Sequence, residues 1–171
     1  MTIVPYTDRL QLVDGLTPHL DTVVVPGLDP VLTSKYVGFL CVSAVTVIEL
    51  AVKDILVEFA ARKHKVFGGF CQDLYDRLNG RITLNDLRKN HVKRFGDRYV
   101  TRFDRLLNAE EDRELRASGR SIRSSYGNLI TWRHSYAHQG ILPPNASYGE
   151  AKQGFELGKH ILKCLDTAMR R

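Results

Sequence analysis

From about Val31 to Lys63 the chain carries Val37, Leu40, Ala44, Ile48, Ala51, Ile55 and Phe59 at helical spacing, with little polar relief on any side. A helix that is apolar nearly all round offers water no face. Other elements must cover it, and the centre of a helical bundle is where such a segment belongs. Its most apolar stretch, Val37 to Ile48, is shorter than the roughly 20 residues that a bilayer span needs, and Glu49 then interrupts it. The segment is therefore expected in a protein core, with no membrane as partner.

The remaining punctuation is helical in style. An amphipathic first helix is predicted over Thr7 to Val24, ending before the turn Pro26-Gly27-Leu28-Asp29-Pro30. Gly68-Gly69 reads as a break after the central helix, and Phe70 to Leu78 as a restart that lasts until Asn79-Gly80. Thr83, with Asp86 at the third position, reads as the N-cap of a helix ending near Gly96. Asp97 to Leu107 is the next helix, and Asn108 followed by Glu111 predicts a separate short one closed by Gly119. A penultimate helix over Ser121 to His138 stops at Gly140 and Pro143-Pro144, and the capping box Ser147-Tyr-Gly-Glu150 opens the last. No segment alternates in the manner of a strand. The expected fold is all-α: one domain over residues 1–171, an up-and-down bundle of four to five core helices with short additions.

A length of 171 residues, with 43% hydrophobic and 26% charged, suits one folded core and argues against disorder. The net charge of +6 points towards a polyanionic partner. Residues Met1 to Arg9 lack the basic and apolar regions of a secretory signal. Cys41, Cys71 and Cys164 are odd in number and widely spaced, and read as free thiols in a reducing cytoplasm.

On a wheel of about 100° per residue, Ile122, Tyr126, Leu129, Ile130, Trp132, Tyr136 and Ala137 share one broad apolar face of the penultimate helix, and Arg133 falls near its middle. A desolvated guanidinium needs a carboxylate, a helix end, or a wet cleft that admits phosphate. Glu49 on the central helix is one candidate partner, as a buried pair or as a group orienting Arg133, unless it pairs with Lys53 at i+4 on its own helix. His134 and His138 lie four residues apart and share a face. Three readings apply to them: solvated histidines near a helix C-terminus, two ligands of a zinc site, or proton carriers in phosphodiester chemistry. The zinc reading has Ser135 where the peptidase pattern needs Glu, and no convincing third ligand, so no metal or cofactor is assigned.

RNA can be cleaved without a metal by attack of its own 2′-hydroxyl on the adjacent phosphate. Such a site needs a group that moves protons near neutral pH, a role for histidine, and a fixed cation on the phosphorane oxygens, a role for arginine. On an ideal helix Arg133 and His138 point about 140° apart, too far for one chain to wrap a single phosphate. Two copies meeting across a two-fold axis bring both residue types into one cleft. The segment Arg88 to Arg123 holds eleven Lys or Arg against six Asp or Glu, with Arg94, Arg98, Arg102 and Arg105 at helical spacing. Those arginines are a candidate RNA surface; Tyr99 and Phe103 between them either stack on bases or serve the core.

Arg133-His-Ser-Tyr-Ala-His138 resembles the motif of the HEPN superfamily, an Arg and a His separated by four to six residues, with Asn, Asp or His typically after the Arg. Val47-Ile-Glu-Leu-Ala-Val-Lys53 and Ser147-Tyr-Gly-Glu-Ala-Lys152 look like the second and last helices of stand-alone bacterial members. The resemblance implies a metal-independent endoribonuclease acting as a homodimer, in phage defence, toxin–antitoxin pairs or RNA processing. Arg133 and His138 would then be the catalytic pair, and His134 a supporting residue. An antitoxin or regulatory protein is a further implied partner. Toxins paired with a nucleotidyltransferase antitoxin usually carry Tyr two residues beyond the His, where this chain has Gly140. The alternative is a non-catalytic helical module that binds RNA or a protein.

Overall fold

The computed structural model describes residues 5–76 and 80–170. They form α1 (Tyr6–Val23), α2 (Pro30–Lys63), α3 (Lys65–Asp76), α4 (Leu84–Asp86), a π-helical turn (Leu87–His91), a 3₁₀ turn (Val92–Phe95), α5 (Asp97–Ser118), α6 (Ile122–Gln139) and α7 (Tyr148–Met169). No strand occurs among the described residues, so the all-α expectation holds. None of these helices is long and apolar enough to cross a membrane.

The axis of the bundle is α2, which touches α1, α3, α6 and α7. Leu40, Cys41, Ala44, Ala51, Leu56 and Ala60 on it are completely buried. Each Leu or Ile so covered contributes about 1.5–3 kcal/mol, so this helix supplies much of the driving force for folding. Asp29 caps its start, accepting from the N–H groups of Val31 and Leu32 at 2.8 and 3.1 Å. All three cysteines are free and buried, and burial pushes the Cys41 thiol up to about 12.

Two sequence boundaries are corrected. The break after α2 falls at His64, whose φ of −162° and ψ of 138° are extended, while Gly68 and Gly69 lie inside α3. A Cβ on Gly68 would sit 2.7 Å from the Cα of Ala61. The glycine is there for close helix contact after the hairpin, not for a turn. Nor does the chain restart at Asn108, since α5 runs unbroken from Asp97 to Ser118. Asn108 and Glu111 instead latch the next helix: Glu111 accepts from the Ser121 hydroxyl at 2.5 Å and the Arg123 N–H at 3.1 Å, and Asn108 accepts from the Arg123 guanidinium at 2.5 Å. The expected end near Asn79 lies outside the described residues.

The cap at Thr83 is present, its hydroxyl oxygen accepting from the Asp86 N–H at 3.1 Å, but the helix it opens widens into the π turn before ending at Gly96. That turn carries His91 into the core, where its Nε2–H donates to the Arg81 carbonyl at 2.7 Å. Burial, helped by the charge of Arg94, holds the His91 imidazole below its ordinary pKa. The unfolded chain therefore binds more protons than the native one as pH falls below about 6.5. Stability from this site is complete above that pH and is lost on acidification. His91→Gln should flatten the fall in melting temperature between neutral and mildly acidic pH relative to wild type; an unchanged slope would show that His91 does not carry it.

Candidate functional site

Helix α6 is fixed at both ends before any functional group on it matters. Ser121 caps its start, accepting from the Ser124 N–H at 3.0 Å. Gly140, at φ +69°, ends it by donating to the Tyr136 carbonyl at 2.9 Å. Ile122, Tyr126, Leu129 and Trp132 form its buried face. The Tyr126 hydroxyl donates to the Ile82 carbonyl at 2.6 Å, and burial drives its pKa far up. A Cβ on Gly38 would meet the Tyr136 ring at 2.2 Å, so the ring from α6 packs directly on the backbone of α2 there. Lys35, one turn earlier on α2, lies 5.7 Å from the centre of the same ring.

Arg133 falls within the angular span of that buried face, near the helix's C-terminal end, and is half-buried. Its guanidinium lies over Gly80, close enough that a Cβ there would be 3.4 Å from Nη1 and 3.6 Å from Nη2. Gly80 has φ +72°, a backbone that favours glycine in any case. The Gly80 N–H donates to Glu49 Oε2 at 2.8 Å, and Glu49 Oε1 meets Lys53 Nζ at 3.0 Å. So the ion pair that forms on Glu49 is the one with Lys53; no carboxylate of the described residues lies within 4.0 Å of the Arg133 nitrogens. Glu49 reaches Arg133 only through the backbone of Gly80, which it pins beneath the guanidinium. That leaves the cation unneutralised within the described structure and restricted in position, which is what an oxyanion-binding arginine requires.

His134 and His138 are both exposed, with ring centres 4.4 Å apart and planes at 53°. Among the described residues, no group of three His, Cys, Asp or Glu could hold a metal ion. Because α6 is regular through this region, Arg133 and His138 project about 140° apart, as the wheel predicts. One chain presents the arginine on one side of the helix and the histidines on another.

The basic segment is only partly an open surface. Arg98, Arg102 and Arg105 share one side of α5, while Arg94 stands before that helix and donates from Nε to the Asn90 carbonyl at 2.6 Å. Arg98 folds over Tyr99, its guanidinium carbon 4.6 Å from the ring centre. Arg88 is held by Asp104 through two bonds of 2.6 and 2.7 Å. Tyr99 and Phe103 are buried, Tyr99 edge-on to Phe59 at 5.1 Å, so their role is in the core and the base-stacking alternative is set aside.

Sequence reasoning missed Gly38 and Gly80. Gly38 was passed over, and Gly80 was read only as a stop; the ring that lies on the one and the guanidinium that lies on the other have no signal in the sequence.

A family model described as RiboL-PSP-HEPN matches residues 6–170. No curated protein and no solved structure matches the chain significantly.

Two substitutions check how the site is held. Glu49→Ala strands the half-buried Gly80 N–H and should cost about 1–3 kcal/mol in urea unfolding, most of it recovered in Glu49→Gln, which keeps an acceptor. Gly38→Ala forces the Tyr136 ring aside and should cost about 1–3 kcal/mol; combining it with Tyr136→Ala should remove most of that added penalty. Equal stability of Gly38→Ala and wild type would mean that this contact is not tight in solution.

Proposed function

The chain belongs to the RiboL-PSP-HEPN family, and from that premise we propose that it is a metal-independent endoribonuclease working as a homodimer. The observation that carries the proposal is Arg133, seated on Gly80 with no carboxylate partner among the described residues, on the same helix as two exposed histidines. A guanidinium so placed binds phosphate oxygens in pairs and stabilises the charge that builds on a phosphorane.

The chemistry needs two proton transfers. A base removes the proton of the 2′-hydroxyl as its oxygen bonds to phosphorus; an acid delivers a proton to the departing 5′-oxygen as the old bond breaks. The products are a 2′,3′-cyclic phosphate and a free 5′-hydroxyl. His138 is assigned to proton transfer, and His134, tilted against it, to holding its ring. Since Arg133 and His138 face apart on one helix, the cleft is composite: Arg133 of one protomer serves with the partner's His138.

The surface around the motif fits such an association. Ile141, just past the Gly140 cap, is 67% exposed. Large apolar side chains flanking a polar motif are what a subunit interface covers. Arg102 and Arg105 on α5, which pair with no carboxylate among the described residues, add a phosphate-binding surface outside the cleft. Expression of such an enzyme without a restraining partner would degrade cellular RNA, the behaviour of a defence or toxin component.

End-labelled RNA incubated with the protein in excess EDTA should yield cyclic-phosphate ends. Arg133→Ala and His138→Ala should each slow cleavage by about 10²–10⁴-fold while melting like wild type. A mixture of the two inactive variants should regain part of the activity, because one cleft of the mixed dimer keeps both intact residues. Cleavage that persists in either variant, or a strictly monomeric active protein, would sink the composite cleft. RNA binding without cleavage would favour the non-catalytic module instead.

A further inference from the structure

The segment on which Arg133 rests is held from three sides. Glu49 of α2 accepts from the Gly80 N–H at 2.8 Å, His91 of the π turn donates to the Arg81 carbonyl at 2.7 Å, and the Tyr126 hydroxyl of α6 donates to the Ile82 carbonyl at 2.6 Å. Each of three consecutive residues thus hangs on a side chain from a different element. His91, Tyr126 and Ile82 are all buried, where such bonds are strong and costly to break.

Arg81 is the exposed member of this segment, between half-buried Gly80 and buried Ile82. No carboxylate of the described residues lies within 4.0 Å of its side-chain nitrogens: Glu49 is engaged with Lys53, and Asp86, five residues on, with Thr83 and Asn90. The peptide bonds are trans, so the Arg81 Cα lies about 3.8 Å from that of Gly80. With the Arg133 guanidinium seated on Gly80, the Arg81 Cα is within about 9 Å of it. That distance spans roughly two to three backbone charges of one strand. Two like charges rooted so close, neither paired with a carboxylate, raise the energy of the free protein, and a polyanion relieves them. Fixing the backbone beneath an exposed cation gives such a contact its position.

We infer that Arg81 is a second phosphate-binding residue of the site, taking the backbone phosphate next to the one at Arg133 on the same RNA strand. Gly80 carries one cation and precedes the other, so the hydrogen bonds that hold it also set where the second is anchored. Contacts to phosphate carry no sequence information; Arg81 adds affinity and register, not base preference. The inference rests on the ribonuclease reading for the strand, and on the held segment for the arginine.

The contact and the cleavage reaction can be tested apart. A fluorescein-labelled RNA octamer of mixed sequence is titrated at several salt concentrations into the His138→Ala protein, alone and with Arg81→Gln, Arg81→Lys or Lys65→Ala. Lys65 is the control, exposed and about 16 Å along the α3 axis from Asp76. Arg81→Gln should weaken binding about three- to tenfold and make log affinity against log salt shallower by about 0.7, one phosphate contact on a single strand. Arg81→Lys should keep the slope, and Lys65→Ala should change neither quantity. Since the Arg81 side chain makes no internal bond among the described residues, Arg81→Gln should melt no lower than its parent. Parental affinity and slope in Arg81→Gln, or an equal fall in Lys65→Ala, overturns the contact and leaves the ribonuclease reading standing. A fall specific to Arg81 in a protein whose wild type cleaves nothing supports the contact and removes the ribonuclease. Absence of RNA binding removes both.

Discussion

The desolvation of α2 organises everything else. A helix of 34 residues, apolar on most of its circumference, is stable only with neighbours on several sides, and α1, α3, α6 and α7 are those neighbours. Once they are in place, the polar groups that α2 still carries become consequential. Glu49 is one of them. Half-buried, it needs partners, and it takes the ammonium of Lys53 and the N–H of Gly80. The position of Gly80 therefore follows from the need of a buried-helix carboxylate for hydrogen bonds. Arg133 in turn lies on Gly80. A requirement of the core is passed to the candidate site through one backbone amide.

This chain of dependence separates what could be read in the sequence from what could not. The apolar spacing of Val37 to Phe59 made α2 and the all-α bundle legible, because period and burial are properties of a single segment. The caps at Thr83 and Ser147 were legible for the same reason: a cap is completed within three or four residues. Glycine was not. Gly68-Gly69 reads as a break when its purpose is set by Ala61, seven residues earlier across a hairpin, and Gly38 and Gly80 answer to side chains far along the chain. Asn108 and Glu111 were misread in the same way, since their hydrogen bonds run to Ser121 and Arg123.

The functional residues divide along that line too. The spacing of Arg133, His134 and His138 lies within one helix, and so does the conclusion that they do not face one another. Whether Arg133 is neutralised depends on Glu49 at a distance of 84 residues, and the sequence allowed either pairing. The structure chooses Lys53 for a local reason: a salt bridge at i+4 on the same helix costs little ordering, since α2 already holds both side chains. Both Glu49 oxygens are thus occupied by groups other than Arg133.

That saturation bears on why an arginine would be kept there at all. Had Glu49 been free to pair with Arg133, the guanidinium would have been a structural cation, its charge spent inside the bundle and its donors occupied. Because the carboxylate engages Lys53 and the Gly80 amide, Arg133 rests on Gly80 and pairs with no carboxylate among the described residues, which is the arrangement the proposed phosphate-binding role needs. A phosphate is the ligand whose geometry matches a planar fork. On the regular helix α6 the side chains of His134 and His138 leave at about 100° and 140° from that of Arg133. The composite cleft proposed above follows from this regularity: it is the straightness of α6, more than any surface patch, that the proposal of a second copy in the site rests on.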